Sequence, residues 1–278
     1  MQLKYIIDLD GTIYHQTKPI PYADKFISYL QTKRRDFVFF TNSPERSPEE
    51  ISDKLKKFNI KVSPEKIVTA ACVTKDYLLN HSRTARIFVI GTEQFKKSLS
   101  EAGFEIICDD SKNADFVICG FSQQTDFSEV KTACKHIWNG AELICTNSDE
   151  SIPDEKGFMP HTGAINASLE YATGKKAIML GKPGAYSFNY IQKKLHARKD
   201  EICVVGDRID TDMSFGKNNG ANAFLVYTGI TSENESKMPK YIGTFDKGFR
   251  NLDELIKFDM KITKEKPMLS LELQFLGE

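Results

Sequence analysis

The sequence predicts an α/β fold built on parallel sheets. Apolar runs of strand length alternate with segments of helical period along most of the 278 residues. This alternation is typical of parallel strands joined by crossover helices. The chain is also longer than one hydrophobic core usually reaches, which favours two α/β domains. Because such sheets bind ligands at the carboxyl ends of their strands, polar residues at those ends are candidates for a site.

The strands and helices can be placed in order along the chain. Eight apolar runs predict strands at residues 3–8, 36–40, 85–90, 115–119, 141–145, 176–180, 201–205 and 223–227. Between them, Ser47 to Glu50 form a capping box with proline at the first helical position. Gly174 and Gly220 are placed to terminate helices. Helices with such ends fit the crossovers that a parallel sheet needs.

The charge balance favours a small-molecule partner. Lys plus Arg and Asp plus Glu number 38 each, and they are scattered along the chain. This pattern carries no footprint for nucleic acid or for an anionic membrane surface. Apolar stretches also stay well short of the roughly 18 residues that a membrane-spanning helix needs. We therefore expect neither nucleic acid nor a membrane as a partner.

The cysteines point to a reducing compartment. The six cysteines form no C-x-x-C pair, and several lie inside apolar runs such as "EICVVGD". Buried free thiols explain this pattern better than a metal or redox site does. The chain also begins directly with a predicted strand rather than with a targeting segment. We therefore expect a cytoplasmic protein.

The tripeptide Thr-Asn-Ser occurs twice, at 41–43 and at 146–148, each time after an apolar run. Superposing the two copies aligns Asp8 with Asn113 and loses every nearby glycine. The repeat is therefore local, and the context of each copy has to decide its role.

The run "YIIDLDGTIY" carries the strongest chemical signal. Asp8 and Asp10 lie two residues apart at the end of a strand, so both side chains project from one face. Two carboxylates held this close repel, which raises the pKa of one unless a cation shares them. The pair therefore indicates either a divalent metal or a nucleophile and an acid. Gly11 allows a sharp turn after it, although a solvated strand-end turn is the alternative reading.

A second acidic group follows another buried strand. In "VVGDRIDTDMSFG", Asp207 comes directly after the strand, and Asp210 and Asp212 follow at the start of a helix. Asp212 could instead cap that helix. Two acidic strand ends in one parallel sheet can converge on a single Mg²⁺, which takes oxygen ligands.

Two further polar residues follow strands. Thr41 offers a hydroxyl and is followed by backbone amides that could bind phosphate oxygens, while Lys182 supplies a cation. Each alone is more often an ordinary loop residue. Four such features, each at a strand's carboxyl end, are much less expected by chance.

These residues together resemble a known family. Four motifs in order are similar to those of the haloacid dehalogenase (HAD) superfamily of phosphatases, most closely its NagD-like, p-nitrophenylphosphatase branch, over residues 3–258: "DLDGT" (8–12), Thr41-Asn42, "GKP" (181–183) and "GDRIDTD" (206–212). The resemblance implies a Rossmann-like parallel-sheet core with a second, inserted α/β cap domain. The core is expected over residues 1–72 and 177–278, the cap over 73–176, and 259–278 form an unassigned tail.

The resemblance also implies an activity. It predicts a Mg²⁺-dependent phosphatase that forms an aspartyl-phosphate and hydrolyses small metabolites such as sugar phosphates or nucleotides. Asp8 is then the nucleophile and Asp10 the general acid and base. The implied metal-binding residues are Asp8, Asp10 through its backbone carbonyl, and Asp207, with Asp212 behind them. The implied phosphate-binding residues are Thr41, Asn42, Ser43 and Lys182. Relatives usually carry a second Asn where this chain has Ser43.

The long interval between Thr41 and Lys182 predicts the inserted domain, because one crossover needs only some thirty residues. Within it, the polar stretch 146–165 reads as a loop that enters a helix near Gly163. It resembles the family's substrate-specificity loop. This resemblance makes Asn147, Asp149 and His161 candidates for contacts with the leaving group. The alternative is a solvent-exposed connector whose Asn and Asp residues make local turns.

An alternative function stays open, and an oligomeric state and a strand in the tail are also expected. A phosphoacceptor signalling module also uses clustered aspartates, a Thr and a Lys, but it lacks an acidic partner such as Asp10. Relatives with this type of cap often dimerise, so the resemblance implies a homodimer. The tail alternates Leu269, Leu271, Leu273 and Phe275, as a half-buried strand would.

Overall fold

The computed structural model describes residues 3–154 and 157–264, which form two parallel sheets with helices packed on them. The predicted α/β class is therefore confirmed. The strands, in chain order, are β1 (Lys4–Ile7), β2 (Tyr14–His15), β3 (Lys18–Pro19), β4 (Phe37–Thr41), β5 (Ile67–Thr69), β6 (Arg86–Ile90), β7 (Glu105–Ile107), β8 (Phe116–Cys119), β9 (Glu142–Cys145), β10 (Ser151–Asp154), β11 (Gly157–Pro160), β12 (Ile178–Met179), β13 (Ile202–Gly206), β14 (Asn222–Val226) and β15 (Lys247–Phe249).

The helices connect these strands. They are α1 (Ala23–Thr32), α2 (Pro48–Lys56), α3 (Ala70–His81), α4 (Glu93–Ser100), α5 (Phe127–Trp138), α6 (Thr162–Thr173), α7 (Ala185–Leu195), α8 (Ser214–Asn218), α9 (Glu233–Ser236) and α10 (Leu252–Lys264). The predicted capping box is present at the start of α2, and Gly174 ends α6 in the left-handed conformation. In the described ranges, no helix is long and apolar enough to cross a membrane.

The core sheet has six parallel strands in the order β15-β14-β13-β1-β4-β5. The chain starts in the middle, at β1, and builds first towards β5 and then, after the second sheet, towards β15. This is the strand order of a doubly wound, Rossmann-like sheet. Its direction of winding switches at β1, so ligands are expected beyond the carboxyl ends of β1 and its two neighbours, β4 and β13.

The second sheet has five parallel strands in the order β12-β9-β8-β6-β7. It lies in the chain between β5 and β13, where the cap was expected. The predicted division at residue 176 assigns β12 to the core segment, whereas β12 pairs with β9 of the second sheet. The division of the chain into 1–72 plus 177–278 and 73–176 stays a prediction.

Buried apolar side chains join the two sheets. One continuous cluster includes Phe40 of β4, Ile118 of β8 and Phe188 of α7. Helix α7 thus contributes Phe188 to a buried cluster that both sheets share. The second sheet therefore shares buried surface with the core instead of being attached through linkers alone.

The stretch 146–165 differs from its prediction as a loop. Residues 151–154 and 157–160 form the two strands of an antiparallel hairpin, in which Ile152 pairs with Met159. Gly157 has a φ of 137°, which only glycine adopts readily, and this allows the chain to reverse. The polar composition concealed the strands because the hairpin has little apolar alternation.

The chain after residue 258 begins as helix, because α10 continues to Lys264. Asp259 on this helix is fully buried and accepts hydrogen bonds from the Tyr5 and Tyr29 hydroxyls, at 2.5 and 2.6 Å, and from Arg35 at 2.9 Å. The network attaches α10 to β1 and α1. The predicted strand in the tail at 268–278 lies outside the described residues.

Candidate active site

The carboxyl ends of two neighbouring core strands bring the predicted carboxylates together. Asp8 follows β1, and Asp207 follows β13, the strand that pairs with β1. Asp212 lies in the helical turn after Asp207. One carboxylate oxygen from each of the three lies within 4.8 Å of the other two. Their exposed fractions are 9%, 1% and 1%, so this is a buried acidic cluster.

Lys182 is the cation inside this cluster. Its Nζ donates to Asp8 Oδ1 at 2.5 Å, to Asp212 Oδ1 at 2.7 Å and to the Phe40 carbonyl at 3.3 Å. The side chain is nearly completely buried. Burial opposes the charged form of Lys182, but Asp212 and Asp8 outweigh it and raise its pKa. Lys182 is therefore a fixed positive charge beside the predicted nucleophile.

One ammonium does not balance three buried carboxylates. Burial raises the pKa of Asp8 well above its usual range, against the opposing effect of Lys182. Burial, with Asp212 next in effect, raises the pKa of Asp207 to about 7. A group that resists ionisation in this way gains most from a nearby cation. Three hard oxygen donors with an unmet negative charge fit Mg²⁺ and offer none of the sulfur or imidazole ligands that other metals favour.

Two glycines make room for the Asp207 carboxylate. A Cβ on Gly11 would lie 2.4 Å from Asp207 Oδ2, and one on Gly229 would lie 2.0 Å from the same atom. Gly11 has a φ of 86°, as the sharp turn predicted after Asp10 requires. Its second role, the close approach of a carboxylate from β13, is not visible in the sequence.

Asp10 is not part of the buried cluster. Its side chain is exposed, and its backbone forms a bridge with Tyr14. Desolvation by the surrounding protein nevertheless raises the pKa of Asp10, with Lys54 and then Arg46 opposing the shift. An acid with a raised pKa that reaches solvent is suited to exchanging a proton.

The first Thr-Asn-Ser loop, 41–43, lies directly against Lys182. The Asn42 side chain accepts from the Lys182 amide at 2.8 Å and donates to the Lys182 carbonyl at 3.3 Å. Thr41, at the end of β4, is 6% exposed, and its hydroxyl oxygen accepts from the Ser43 amide at 3.2 Å. The loop therefore fixes the backbone of Lys182 and keeps the Thr41 hydroxyl at the strand end.

The second loop, 146–148, also reaches this place. Asn147 is fully buried; its amide donates to the Asn42 carbonyl at 3.2 Å, and its Oδ1 accepts from the Asp149 amide at 3.1 Å. The Ser148 hydroxyl donates to the Lys182 carbonyl at 3.4 Å. Both loops therefore converge on Lys182, although they are far apart in the chain.

Asp149 and His161 on the cap side are both affected by the charge of Arg208. Burial raises the pKa of Asp149, and Arg208 opposes that shift. Burial, with Arg208 second, lowers the pKa of His161 to about 4, so the imidazole is neutral at ordinary pH. The His161 ring packs against Phe121 with a centroid distance of 4.3 Å. His161 is thus held as a neutral, packed side chain.

Sequence reasoning missed three charged residues at this site. Arg208 approaches Asp149 at 3.7 Å and Asp210 at 2.7 Å, which links the core to the cap loop. Its position inside the "GDRIDTD" motif could have indicated a place at the site, but only the carboxylates of that motif were considered. Arg46 precedes the capping box and Lys54 follows it. Both cations oppose the rise in the pKa of Asp10, and nothing in their own sequence context connects them to it.

Comparisons with known proteins identify the family of this chain. A family model described as haloacid dehalogenase-like hydrolase matches residues 5–105, and a HAD-hydrolase-like model matches residues 179–252. An acid sugar phosphatase of Staphylococcus aureus is 34% identical over 256 residues, which cover 91% of this chain and 96% of the relative.

Solved structures give the same result. A p-nitrophenyl phosphatase from Archaeoglobus fulgidus has a TM-score of 0.86 at 28% identity, covering 92% of this chain and 99% of that one. A 4-nitrophenylphosphatase from Thermotoga maritima has a TM-score of 0.84 at 33% identity, covering 92% and 97%. The chain therefore belongs to the haloacid dehalogenase-like hydrolases and is a phosphatase of their NagD-like, p-nitrophenylphosphatase branch.

Proposed function

We propose that this phosphatase depends on Mg²⁺ and hydrolyses small phosphorylated metabolites, such as sugar phosphates or nucleotides, through an aspartyl-phosphate on Asp8. The observation that carries the proposal is the buried cluster of Asp8, Asp207 and Asp212 around Lys182. The name of the staphylococcal relative, acid sugar phosphatase, supports sugar phosphates as a substrate class. The names of the two structural neighbours support tolerance of an aryl leaving group.

Mg²⁺ would be held by the Asp8 carboxylate, the Asp10 backbone carbonyl and Asp207, with Asp212 behind them. When bound, the ion supplies positive charge to the phosphoryl oxygens and to the carboxylates around it. A phosphomonoester brings nearly two negative charges to a site with Asp8 and Asp207 ionised, about four in all. Mg²⁺ and Lys182 together return three, and backbone amide dipoles contribute further.

The chain's own residues would carry out the two chemical steps. A carboxylate oxygen of Asp8 forms a bond to phosphorus as the ester oxygen leaves, and Asp10 gives that oxygen a proton. Asp10 then takes a proton from a water molecule, whose oxygen attacks the phosphorus and releases phosphate. The Asp8 carboxylate is regenerated, so the cycle closes without a further reactant.

Lys182 and the first loop would hold the phosphoryl group. The Lys182 ammonium is 2.5 Å from Asp8 Oδ1, so a phosphoryl oxygen in line with Asp8 would lie within its reach. Thr41 would donate its hydroxyl to a second phosphoryl oxygen, with Asn42 and Ser43 shaping the loop.

The cap loop would contact the leaving group. Asp149 is the stronger candidate, because the Asn147 amide group is already bonded to Asn42 and Asp149. Asn147 would then act by holding the loop in place. The homodimer implied by the resemblance stays a prediction.

A panel of phosphomonoesters assayed with Mg²⁺ tests the proposal. Wild-type protein should hydrolyse several members, and Asp8→Asn should hydrolyse none above background, because the nucleophile is lost. An Asp8→Asn variant with full activity would exclude the covalent mechanism. Failure of the wild type on every member would contradict the proposed substrate class.

A further inference from the structure

Arg46 and Lys54 are two cations on the core side of the site, and neither has a carboxylate partner in the part of the chain that the structure describes. Lys54 lies on α2 and is partly buried, with its Nζ 3.3 Å from the centre of the Tyr14 ring. Within residues 3–154 and 157–264, neither cation has a carboxylate oxygen inside the 4.0 Å ion-pair distance. This unpartnered pair therefore needs an explanation.

The position of Lys54 is fixed relative to Asp10 through Tyr14. The Gly11 amide donates to the Tyr14 carbonyl at 2.9 Å, and Asp10 and Tyr14 form a backbone bridge. Lys54 thus lies over the ring of a residue whose backbone is bonded to the turn that contains Asp10. Among the cations around Asp10, Lys54 has the largest effect on its pKa and Arg46 the next largest.

Burial disfavours the charged form of Lys54. Burial lowers its pKa to about 8, against the opposing effect of Asp10. A partly desolvated ammonium without a direct counterion is stabilised when an anion binds it. Arg46 is exposed and offers a planar guanidinium, which suits carboxylate or phosphate oxygens.

The anion can be located from the chemistry at Asp10. A general acid has to lie within hydrogen-bond reach of the leaving oxygen. Side chains beside Asp10 therefore face the part of the substrate that leaves, and not the transferred phosphoryl group. An anionic group placed a few bonds from the ester oxygen would lie beside Lys54 and Arg46.

We propose that Lys54 and Arg46 bind a second anionic group on the leaving part of the substrate, a carboxylate or a second phosphate. The preferred substrates are then phosphomonoesters of anionic alcohols. This inference rests on the proposed function, since it assumes Asp10 as the acid at the leaving oxygen. It assigns a selectivity that the cap loop does not supply.

Two matched substrate pairs test the proposal. 3-Phosphoglycerate differs from glycerol 3-phosphate by a carboxylate, and fructose 1,6-bisphosphate differs from fructose 6-phosphate by a phosphate. For each pair, the ratio of kcat/KM for the more anionic member to that for its partner is measured with Mg²⁺. The wild type should prefer the more anionic member in at least one pair, and that pair identifies the anion.

Lys54→Met should lower this ratio by about tenfold, mainly through KM, as expected for one charge-assisted hydrogen bond. Lys54→Arg should retain most of the preference. Lys56→Met, on the exposed part of the same helix, is the matched control and should leave the ratio unchanged. Using a ratio removes any effect of Lys54 on Asp10 that is common to both members.

The outcomes separate this inference from the proposed function. If Lys54→Met lowers kcat/KM equally for both members, or the wild type has no preference in either pair, the second-anion site is excluded. If the wild type hydrolyses no member of either pair or of the wider panel, the proposed function itself fails.

Discussion

The two Thr-Asn-Ser loops have the same side chains but different partners. In the loop at 41–43, the Thr41 hydroxyl oxygen accepts from a backbone amide, and the hydroxyl donates to no protein group within the described ranges. In the loop at 146–148, the Thr146 hydroxyl donates to the Cys119 carbonyl at 3.2 Å. The first hydroxyl can therefore still donate to a ligand, whereas the second is used in packing the cap sheet.

The asparagines differ in the same way. Asn42 binds both backbone groups of Lys182, so it positions a residue of the proposed phosphate site. Asn147 is fully buried and binds Asn42 and Asp149, so it attaches the cap loop to the core loop. Identical tripeptides at strand ends thus acquire different tasks from the atoms they meet. The predictions below test that distinction.

Metal removal should have the largest effect, because the proposed Mg²⁺ acts on the phosphoryl group, which the first loop is also proposed to bind. We expect excess EDTA to lower kcat by at least about a hundredfold for every substrate, whatever its leaving group. The measurement is phosphate release, with Mg²⁺ added back as the control. Equal activity with and without EDTA would contradict the charge argument at Asp8 and Asp207.

Thr41→Val and Thr146→Val compare the loops directly. Thr41→Val should lower kcat/KM by about tenfold to a hundredfold on all substrates, since it removes a hydrogen bond to a charged group. Thr146→Val should instead lower the free energy of unfolding by about 0.5–1.5 kcal/mol, because it removes the hydroxyl's hydrogen bond to the Cys119 carbonyl while the Thr146 amide still donates to that carbonyl. Steady-state kinetics and urea denaturation of both variants distinguish the effects. The reverse pattern would invert the roles of the two loops.

His161 should make the cap side sensitive to acid. Its pKa falls from the ordinary 6.5 to about 4 on folding, so the folded state disfavours the imidazolium. This contribution is fully present above pH 6.5 and is lost as the pH falls towards 4. We expect the free energy of unfolding to decrease by about 1–3 kcal/mol over that interval.

His161→Gln is the comparison for this prediction. The variant should have a flatter dependence of unfolding free energy on pH between 6.5 and 4 than the wild type, as measured by urea denaturation. Identical slopes for the two proteins would show that His161 is not the group responsible.

Asp149→Asn should have the smallest effect and should change selectivity. If Asp149 contacts the leaving group, kcat/KM for sugar phosphates should fall several-fold, while p-nitrophenyl phosphate, with a small aryl leaving group, should change less. Ser151→Ala, on the adjacent hairpin, serves as the control. Equal losses on all substrates would contradict the assignment of the cap loop to the leaving group.

Much of the fold and of the site could be predicted because the relevant signals are local. The runs that became β1, β4 and β13 are strongly apolar, and their polar ends were recognisable from adjacent residues. Short strands were missed, among them β5, β7 and β15, because three residues carry too little periodicity. The hairpin at 151–160 was missed for its polar composition.

Other features depend on contacts between distant residues. No local pattern indicates that Asp259 would be buried against Tyr5 and Arg35, or that Lys54 would lie over Tyr14. The sequence also could not predict which strand pairs with β12, because a strand of two residues near the boundary between the two sheets can pair with either of them. Such contacts arise only when the sheets are assembled.

By itself, the sequence determined the parallel α/β architecture and the carboxylates at its strand ends, because strand period and motif spacing are properties of a few consecutive residues. The tertiary structure decided which of two identical tripeptides keeps a threonine hydroxyl able to donate to a ligand, and which cations lie beside Asp10. The physical reason is that a side chain's available hydrogen bonds and its charge environment depend on neighbours that are remote in the chain.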